Sequence, residues 1–262
     1  MKIFCLILLL GVLKTSVAQD SLPANNNVKK QSIKLGYELG FVDQKENRRW
    51  NFLTAEYGYK FKKAPTFIRL NYADRFELQG LQLEAESYPV ISKKIYMYLN
   101  VGYSSSSLFP KFRAGSSIYF TLPKSFELEG GFRYLDFPAP VFVYTTSLGK
   151  YYKSFLFTVS TFLSSTNAAI SSSYFLKTRW YKNDEDFFML TLGKGVSPDD
   201  QARLTGIGVI NNLQSYNVET YLENKISADL FLTAKAGWLN QESTSKNYQN
   251  QFILGTSLKY RF

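Results

Sequence analysis

Apolar and polar residues alternate with a period of two along most of this chain. Between residues 33 and 41, Ile33, Leu35, Tyr37, Leu39 and Phe41 are separated by Lys34, Gly36, Glu38 and Gly40. Between 53 and 61, Leu53, Ala55, Tyr57, Tyr59 and Phe61 are separated by Thr54, Glu56, Gly58 and Lys60. The pattern returns at 95–103, 112–120, 126–134 and 230–238. Helices repeat their apolar positions every 3.6 residues, so this is the signature of strands with two unlike faces. At 141–148 and 187–194 both faces are apolar, and those two strands rest on weaker patterning. Together with the turn signals between the runs, the pattern predicts fourteen strands, near 31–41, 50–61, 66–73, 78–87, 95–103, 111–121, 126–135, 141–149, 154–163, 169–181, 186–195, 212–225, 229–239 and 251–262. Counts of 12 or 16 are the neighbouring even alternatives.

The connections between these runs are unequal. "VDQKENRR", "SSSSLFPK", "SPDDQARLTGIG" and "NQESTSKNYQ" fall on odd-numbered hairpins, and the shorter "KKAP", "LPKS", "KNDE" and "SAD" fall between them. One rim therefore carries long loops and the other short turns, as in outer-membrane barrels, whose termini lie in the periplasm. The end of the chain fits a barrel that must close on itself. In "FILGTSLKYRF", Leu254, Leu258, Tyr260 and Phe262 alternate with polar residues up to the last position. A last strand paired with the first leaves no unpaired edge in lipid. Leu258, Tyr260 and Phe262 resemble the assembly signal read by the barrel assembly machinery, with Ser257 where a glycine is usual.

Composition narrows the class further. Phe, Tyr and Trp number 22, 19 and 3, an aromatic share of 17% that is high for a water-soluble domain. The first residues, "MKIFCLILLLGVLKTSVAQD", have a lysine, an apolar run from Ile3 to Leu13 and small residues Ser16 and Ala18, the layout of a secretory signal peptide cut after Ala18. That run is too short for the roughly 20 residues of a spanning helix. The expected organisation is a signal peptide over 1–18, a short polar segment over 19–30 and an all-β, transmembrane antiparallel β-barrel over 31–262, in the outer membrane of a Gram-negative bacterium. Loss of the signal peptide removes Cys5, the one cysteine, and leaves no thiol for disulfide or nucleophilic chemistry. It also takes Lys2 and Lys14 from the 31 basic residues, which leaves 29 against 21 acidic ones.

The stretch 81–152 carries a further signal: Ala85 to Pro89, the Tyr96 and Tyr98 pair, Phe109, Pro110, Arg113 and Gly115, then Leu122, Pro123 and Glu127, and finally Gly131, Arg133, Tyr134, Leu135 and Phe137. With "VYTTSLGKYY" at 143–152, it resembles the YaiO family of outer-membrane β-barrel proteins. The resemblance implies an outer-membrane location and, more loosely, an association with envelope polysaccharide synthesis or export.

Enzymatic function is not expected. Imidazole is the side chain best poised for general base chemistry near neutral pH, and the chain contains no histidine. The carboxylate pairs Glu84/Glu86 and Glu127/Glu129 have the i, i+2 spacing of one strand face and could suggest glycoside hydrolysis, but such pairs more often satisfy inward arginines. Histidine and thiolate ligands are lacking, so neither metal nor another cofactor is expected. By parity, Lys34, Lys60, Arg69, Arg113, Arg133, Lys177, Arg179, Lys235, Lys259 and Arg261 face the lumen, with Glu38, Glu56, Glu84, Glu86, Glu127, Glu129, Glu219 and Glu223. The expected lumen charge cluster is Arg69, Glu84, Glu86, Arg113, Glu127, Glu129 and Arg133, in which Arg113 and Arg133 form one basic centre held by Glu127 and Glu129.

Two readings of that lumen stay open: ion pairs that rigidify and plug the barrel, or a polar ladder along which a glycan slides with Tyr96, Tyr98 and Tyr119 as stacking platforms. Expected partners are outer-membrane lipids, the assembly machinery and an envelope polysaccharide. Exposed basic segments such as 45–49 and 62–63, where they lie on the outer rim, can contact lipopolysaccharide phosphates. Nucleic acid is not a partner of scattered basic residues in an exported chain.

Overall fold

The computed structural model describes residues 29–43, 49–75, 77–165, 170–195, 215–244 and 247–262. The expected signal peptide and most of the 19–30 segment lie outside the described residues.

The described residues form fifteen strands: β1 (Gln31–Val42), β2 (Arg49–Lys60), β3 (Pro65–Arg75), β4 (Leu78–Ser87), β5 (Val90–Ser92), β6 (Ile95–Tyr103), β7 (Phe112–Leu122), β8 (Phe126–Asp136), β9 (Val141–Tyr152), β10 (Phe155–Ser165), β11 (Ile170–Tyr181), β12 (Phe187–Lys194), β13 (Ser215–Lys225), β14 (Leu230–Thr244) and β15 (Asn247–Arg261). Successive strands pair antiparallel, β15 pairs with β1, and β4 pairs directly with β6. The three-residue β5 is laid on β6 at the rim. Fourteen strands therefore make up the wall of a closed barrel.

The alternation sets which face meets which medium. Leu35, Leu83 and Val159 are 61%, 56% and 55% exposed, while Asn71, Gln82, Glu84 and Asn100 on the other face are buried. An apolar belt of this extent is tolerated only where lipid covers it. The two strands with apolar residues on both faces have a local reason. On β9, Val141 and Val143 turn inward and pack with Leu135, Phe137, Phe162 and Phe175. On β12, Phe187 lies inside, stacked on Tyr221 at 5.5 Å beneath the Arg179 guanidinium.

One expectation is corrected. Residues 240–244 and 247–249 are strand rather than loop, because β14 continues to Thr244 and β15 begins at Asn247, with an irregularity in register between Glu242 and Thr244. A strand ladder is built from backbone groups and does not need apolar side chains, and polar cross-strand bonds extend it here. The Trp238 Nε1–H and Asn240 Nδ2–H both donate to Asn250 Oδ1, at 3.1 and 2.9 Å.

The rim that holds the start of β1 and the C-terminal residue carries the short turns. There Gln31 and Phe262 exchange backbone hydrogen bonds of 3.1 and 3.0 Å, and Tyr260 stacks on Phe262 at 6.0 Å on the outer face. The same rim is latched by the turn before β12. Asp186 accepts from the Lys225 backbone N–H at 2.6 Å, and Glu185 takes Lys225 Nζ at 2.6 Å and Arg261 Nη1 at 2.7 Å. Hydrogen bonds from Lys225 hold both carboxyls below their ordinary range, helped by Arg261 at Glu185 and by Asn183 at Asp186.

Two outcomes are expected. Deleting Phe262 removes both terminal backbone bonds and the aromatic pair, so the yield of heat-modifiable, folded barrel on gels should fall; an unchanged yield would contradict the role of this closure. Carboxyls with lowered folded-state pKa contribute stability above the ordinary carboxylate range and lose it as pH falls through their lowered values. The unfolding midpoint should therefore drop as pH falls below that range, and Glu185→Gln should flatten the acid limb of a midpoint-against-pH series.

Candidate functional site in the barrel lumen

The charged side chains of the inner wall are joined from strand to strand. Arg69 on β3 grips Glu56 on β2 through Nε and Nη2 at 2.9 and 2.7 Å, and reaches Glu84 at 3.4 Å and Glu86 at 3.2 Å on β4. Glu84, buried at 3% exposure, also accepts from Asn71 at 3.1 Å and Asn100 at 2.7 Å and pairs with Arg113 on β7 at 3.4 Å. On the adjoining arc, from β13 to β1, Lys235 bridges Glu219 at 2.7 Å and Glu38 at 3.6 Å, and Lys259 holds Glu223 at 2.6 Å. The Lys235–Glu38 pair spans the seam between the last and first strands.

Glycines make these reaches possible. Lys235, Gly255 and Glu38 lie side by side on β14, β15 and β1. A Cβ on Gly255 would stand 2.9 Å from the Glu38 Cγ and 3.4 Å from the Lys235 Cβ. Arg113 crosses Gly102 on β6 to reach Glu84, with its Cγ 2.8 Å from where a Cβ would be. Arg133 on β8 crosses Gly115 on β7, its Cδ 2.4 Å from that position, and lays its guanidinium 4.5 Å from the centre of the Tyr98 ring on β6. In each case a glycine on the middle strand lets a long cation lie flat along the wall and meet a partner two strands away.

The structure thus divides the expected basic centre. Arg113 joins Arg69 at Glu84, and Arg133 stacks on Tyr98 while donating to Ser117 Oγ at 3.0 Å. Glu127 and Glu129 instead accept from the hydroxyls of Tyr96 and Tyr119, and Glu129 also from Ser147 at 2.7 Å. These residues share the inner face, but the register sets Arg113 beside Gly102 and Glu84, and Arg133 beside Gly115, while Glu129 and Glu127 lie opposite Tyr119 and Thr121, further along the strands. Of the three expected stacking tyrosines, Tyr96 and Tyr119 stack on each other at 4.5 Å, and Tyr98 is 7% exposed between Arg133 and Tyr88.

A feature absent from the sequence reading closes the long-loop end. Residues 104–111 fold into the barrel: Leu108 and Phe109 are buried with Val42, Trp50, Phe52, Ala73 and Ile253. The serine run supplies the anchors. Ser104 Oγ donates to the Leu81 carbonyl at 2.6 Å, and Ser106 Oγ to that of Gln79 at 3.2 Å. The available signal was the Leu-Phe-Pro at 108–110, too apolar for a loop that ends in water.

Beneath that lid lies a cavity of about 450 Å³ that reaches across the barrel, lined on one side by Arg69, Glu84, Glu86, Tyr98 and Arg133 and on the other by Tyr221, Thr233 and Lys235, with Phe109 and Pro110 among its lining residues. Its size falls in the range of small-ligand sites. Its lining mixes aromatic faces, hydroxyls and charges of both signs, groups that suit a hydroxyl-rich guest.

The glycine crossing is testable. Gly115→Val should push Arg133 off Tyr98 and lower stability by about 1–3 kcal/mol. Most of that loss should vanish when the change is made in an Arg133→Ala background, as a double-mutant cycle by thermal unfolding would show. Gly130→Ala, where a Cβ meets nothing within 4 Å, is the control.

Solved structures with this fold include the Acinetobacter baumannii outer membrane protein Omp33, with TM-score 0.53 and 13% identity over 89% of this chain and 99% of that one. A bacterial polysaccharide outer membrane secretin matches with TM-score 0.58 and 9% identity over 89% and 99%, and the CymD monoaromatic hydrocarbon channel with TM-score 0.54 and 6% identity over 89% of each. At these identities the likeness establishes the barrel fold alone. Among curated proteins, no sequence matches. The YaiO membrane beta barrel domain matches residues 30–200, well beyond the 81–152 stretch that carries the clearest motif residues. A closed barrel with a lipid-facing belt, matched to that domain over most of its length, belongs to the YaiO family and is a bacterial outer-membrane β-barrel protein.

Proposed function

We propose that this barrel is a channel or accessory component in the export of an envelope polysaccharide, with residues 104–111 as the segment that closes its outer end. The observation that carries the reading is the cavity across the barrel, bordered by Tyr98, Tyr119 and Tyr221 and by paired charges, directly beneath Phe109 and Pro110. Aromatic faces and charge-assisted hydrogen bonds are what a sugar ring and its hydroxyls use. The fold shared with a polysaccharide secretin is compatible with this role. The role is a non-catalytic one: the chain has no imidazole base, and its carboxylate pairs are engaged by Arg69, Asn100, Arg113, Tyr96 and Tyr119.

A second reading, a structural barrel with a plugged lumen, draws on the same apolar lid and on the Arg69–Glu56–Glu84–Glu86 cluster. The lid separates the two. Replacing 105–110 by a glycine-serine segment removes Leu108 and Phe109 from the lumen. Under the export reading, conductance in planar bilayers should rise from a low level to a steady open one. A folded variant that conducts no better than the unaltered barrel would favour the plug.

A further inference from the structure

Among the described residues, positive charge is not evenly distributed between the two rims. Six connections lie on the short-turn, periplasmic rim, and five of them carry exposed lysines: Lys62 and Lys63 after β2, Lys93 and Lys94 before β6, Lys124 after β7, Lys153 after β9 and Lys182 after β11. Lys29 and Lys30 add to them just before β1. The acidic residues described in these turns are Asp184, Glu185, Asp186 and Asp229; Glu185 already holds Lys225 and Arg261, and Asp229 holds Lys29. On the opposite rim the described residues mix signs, with Asp43, Asp74, Glu77 and Asp136 beside Arg49, Lys111 and Lys194. Lys62 and Lys63 therefore stand on the short-turn rim, with the C-terminus, rather than on the outer rim.

Cations continue inward, paired at the mouth: Lys225 and Arg261 with Glu185, and Lys259 with Glu223. Just inside this rim, Arg261, Lys259 and Lys225 surround the buried Phe231 ring at 4.0, 4.7 and 5.9 Å. Lys34 lies next to Lys259 across the closing seam. The cavity beyond is lined by five cations, Lys34, Arg69, Arg113, Arg133 and Lys235, against three carboxylates, Glu38, Glu84 and Glu86. We propose that this lysine collar and the cationic path behind it are a capture site for an acidic polysaccharide, a glycan with carboxylates at regular intervals, which enters from the periplasm. The proposal rests on the export reading and adds the charge class of the polymer. Anionic lipid headgroups could meet the collar but could not follow the cations into the lumen, whereas a polymer can engage both. Clustered charge of one sign draws an oppositely charged chain toward the mouth, and salt screens that attraction.

The test uses the mature barrel in nanodiscs of phosphatidylcholine, with polygalacturonate as the acidic probe and dextran as the neutral one, by isothermal titration. Polygalacturonate should bind, weakening roughly tenfold or more between about 0.05 and about 0.3 M salt, and dextran should not. Combined Lys→Gln changes at 62, 63, 93, 94 and 124 should weaken binding by about tenfold or more, while Arg49→Gln with Lys194→Gln on the other rim should leave it unchanged. These lysines are exposed in turns, so folding is checked simply by heat-modifiable migration. Equal binding of dextran, no binding of polygalacturonate, or a folded collar variant with undiminished affinity would overturn the proposal. So would a collar variant altered only in its preference for phosphatidylglycerol nanodiscs, which would assign the lysines to lipid. A lid-replaced barrel that conducts while polygalacturonate fails to bind would keep the export reading and remove the acidic polymer. Binding without conductance in that variant would support the capture site and count against passage.

Discussion

A charge on the inner wall of a membrane barrel finds its partners on neighbouring strands at the same height, because lipid covers the outer face of that wall. Taking an ion out of water costs several kcal/mol unless its partners are well placed. This chain meets the constraint with contacts that skip a strand. Glu84 receives Arg69 from one side and Arg113 from the other, and Arg113 gets there only because Gly102 leaves the intervening strand bare. The same device ties β14 to β1 over Gly255, so the closing seam is joined by side chains as well as by backbone bonds.

That arrangement decides where space remains. Cations laid flat against the wall occupy little of the barrel's cross-section, and a cavity persists beside a dense set of ion pairs. The ionic wall and the open volume are therefore not alternatives. What closes the barrel among the described residues is apolar and comes from a loop: Leu108 and Phe109 fill the outer end against Trp50 and Phe52, held by serine hydroxyls on the edge of β4. A lid attached through a few hydrogen bonds is easier to move than a wall of charge pairs.

Strand positions and the inward face were legible because period-two alternation reports both together, and each of the fourteen wall strands falls at or close to its expected place. The partners of Arg113 and Arg133 were not legible. Alternation gives a face but not a height, and the register sets each arginine beside a glycine over which it reaches a residue two strands away. The glycines at 102, 115 and 255 held the missing information, since each sits at an inward position beside a long cation in the register. The strand ends at 240–244 and 247–249 were misread for a different reason: their residues are polar because the ladder there has left the hydrocarbon, and polarity alone does not separate a loop from a strand in water. The lid was visible only as an oddity, two apolar residues in a serine-rich connection.

The two ends of the lumen are chemically unlike, and the difference has a direction. The periplasmic mouth is ringed by lysines and leads past Arg261 and Lys259 to a cavity with more cations than carboxylates. The outer end is sealed by aromatic and aliphatic side chains that offer a charged chain nothing. Under the proposed export role, a polyanion would be attracted from one side and stopped at the other, and it would gain progress only when the apolar lid gives way. Affinity at the entrance and a barrier at the exit would then be properties of separate residues, so selection of such a polymer and its release could be altered independently.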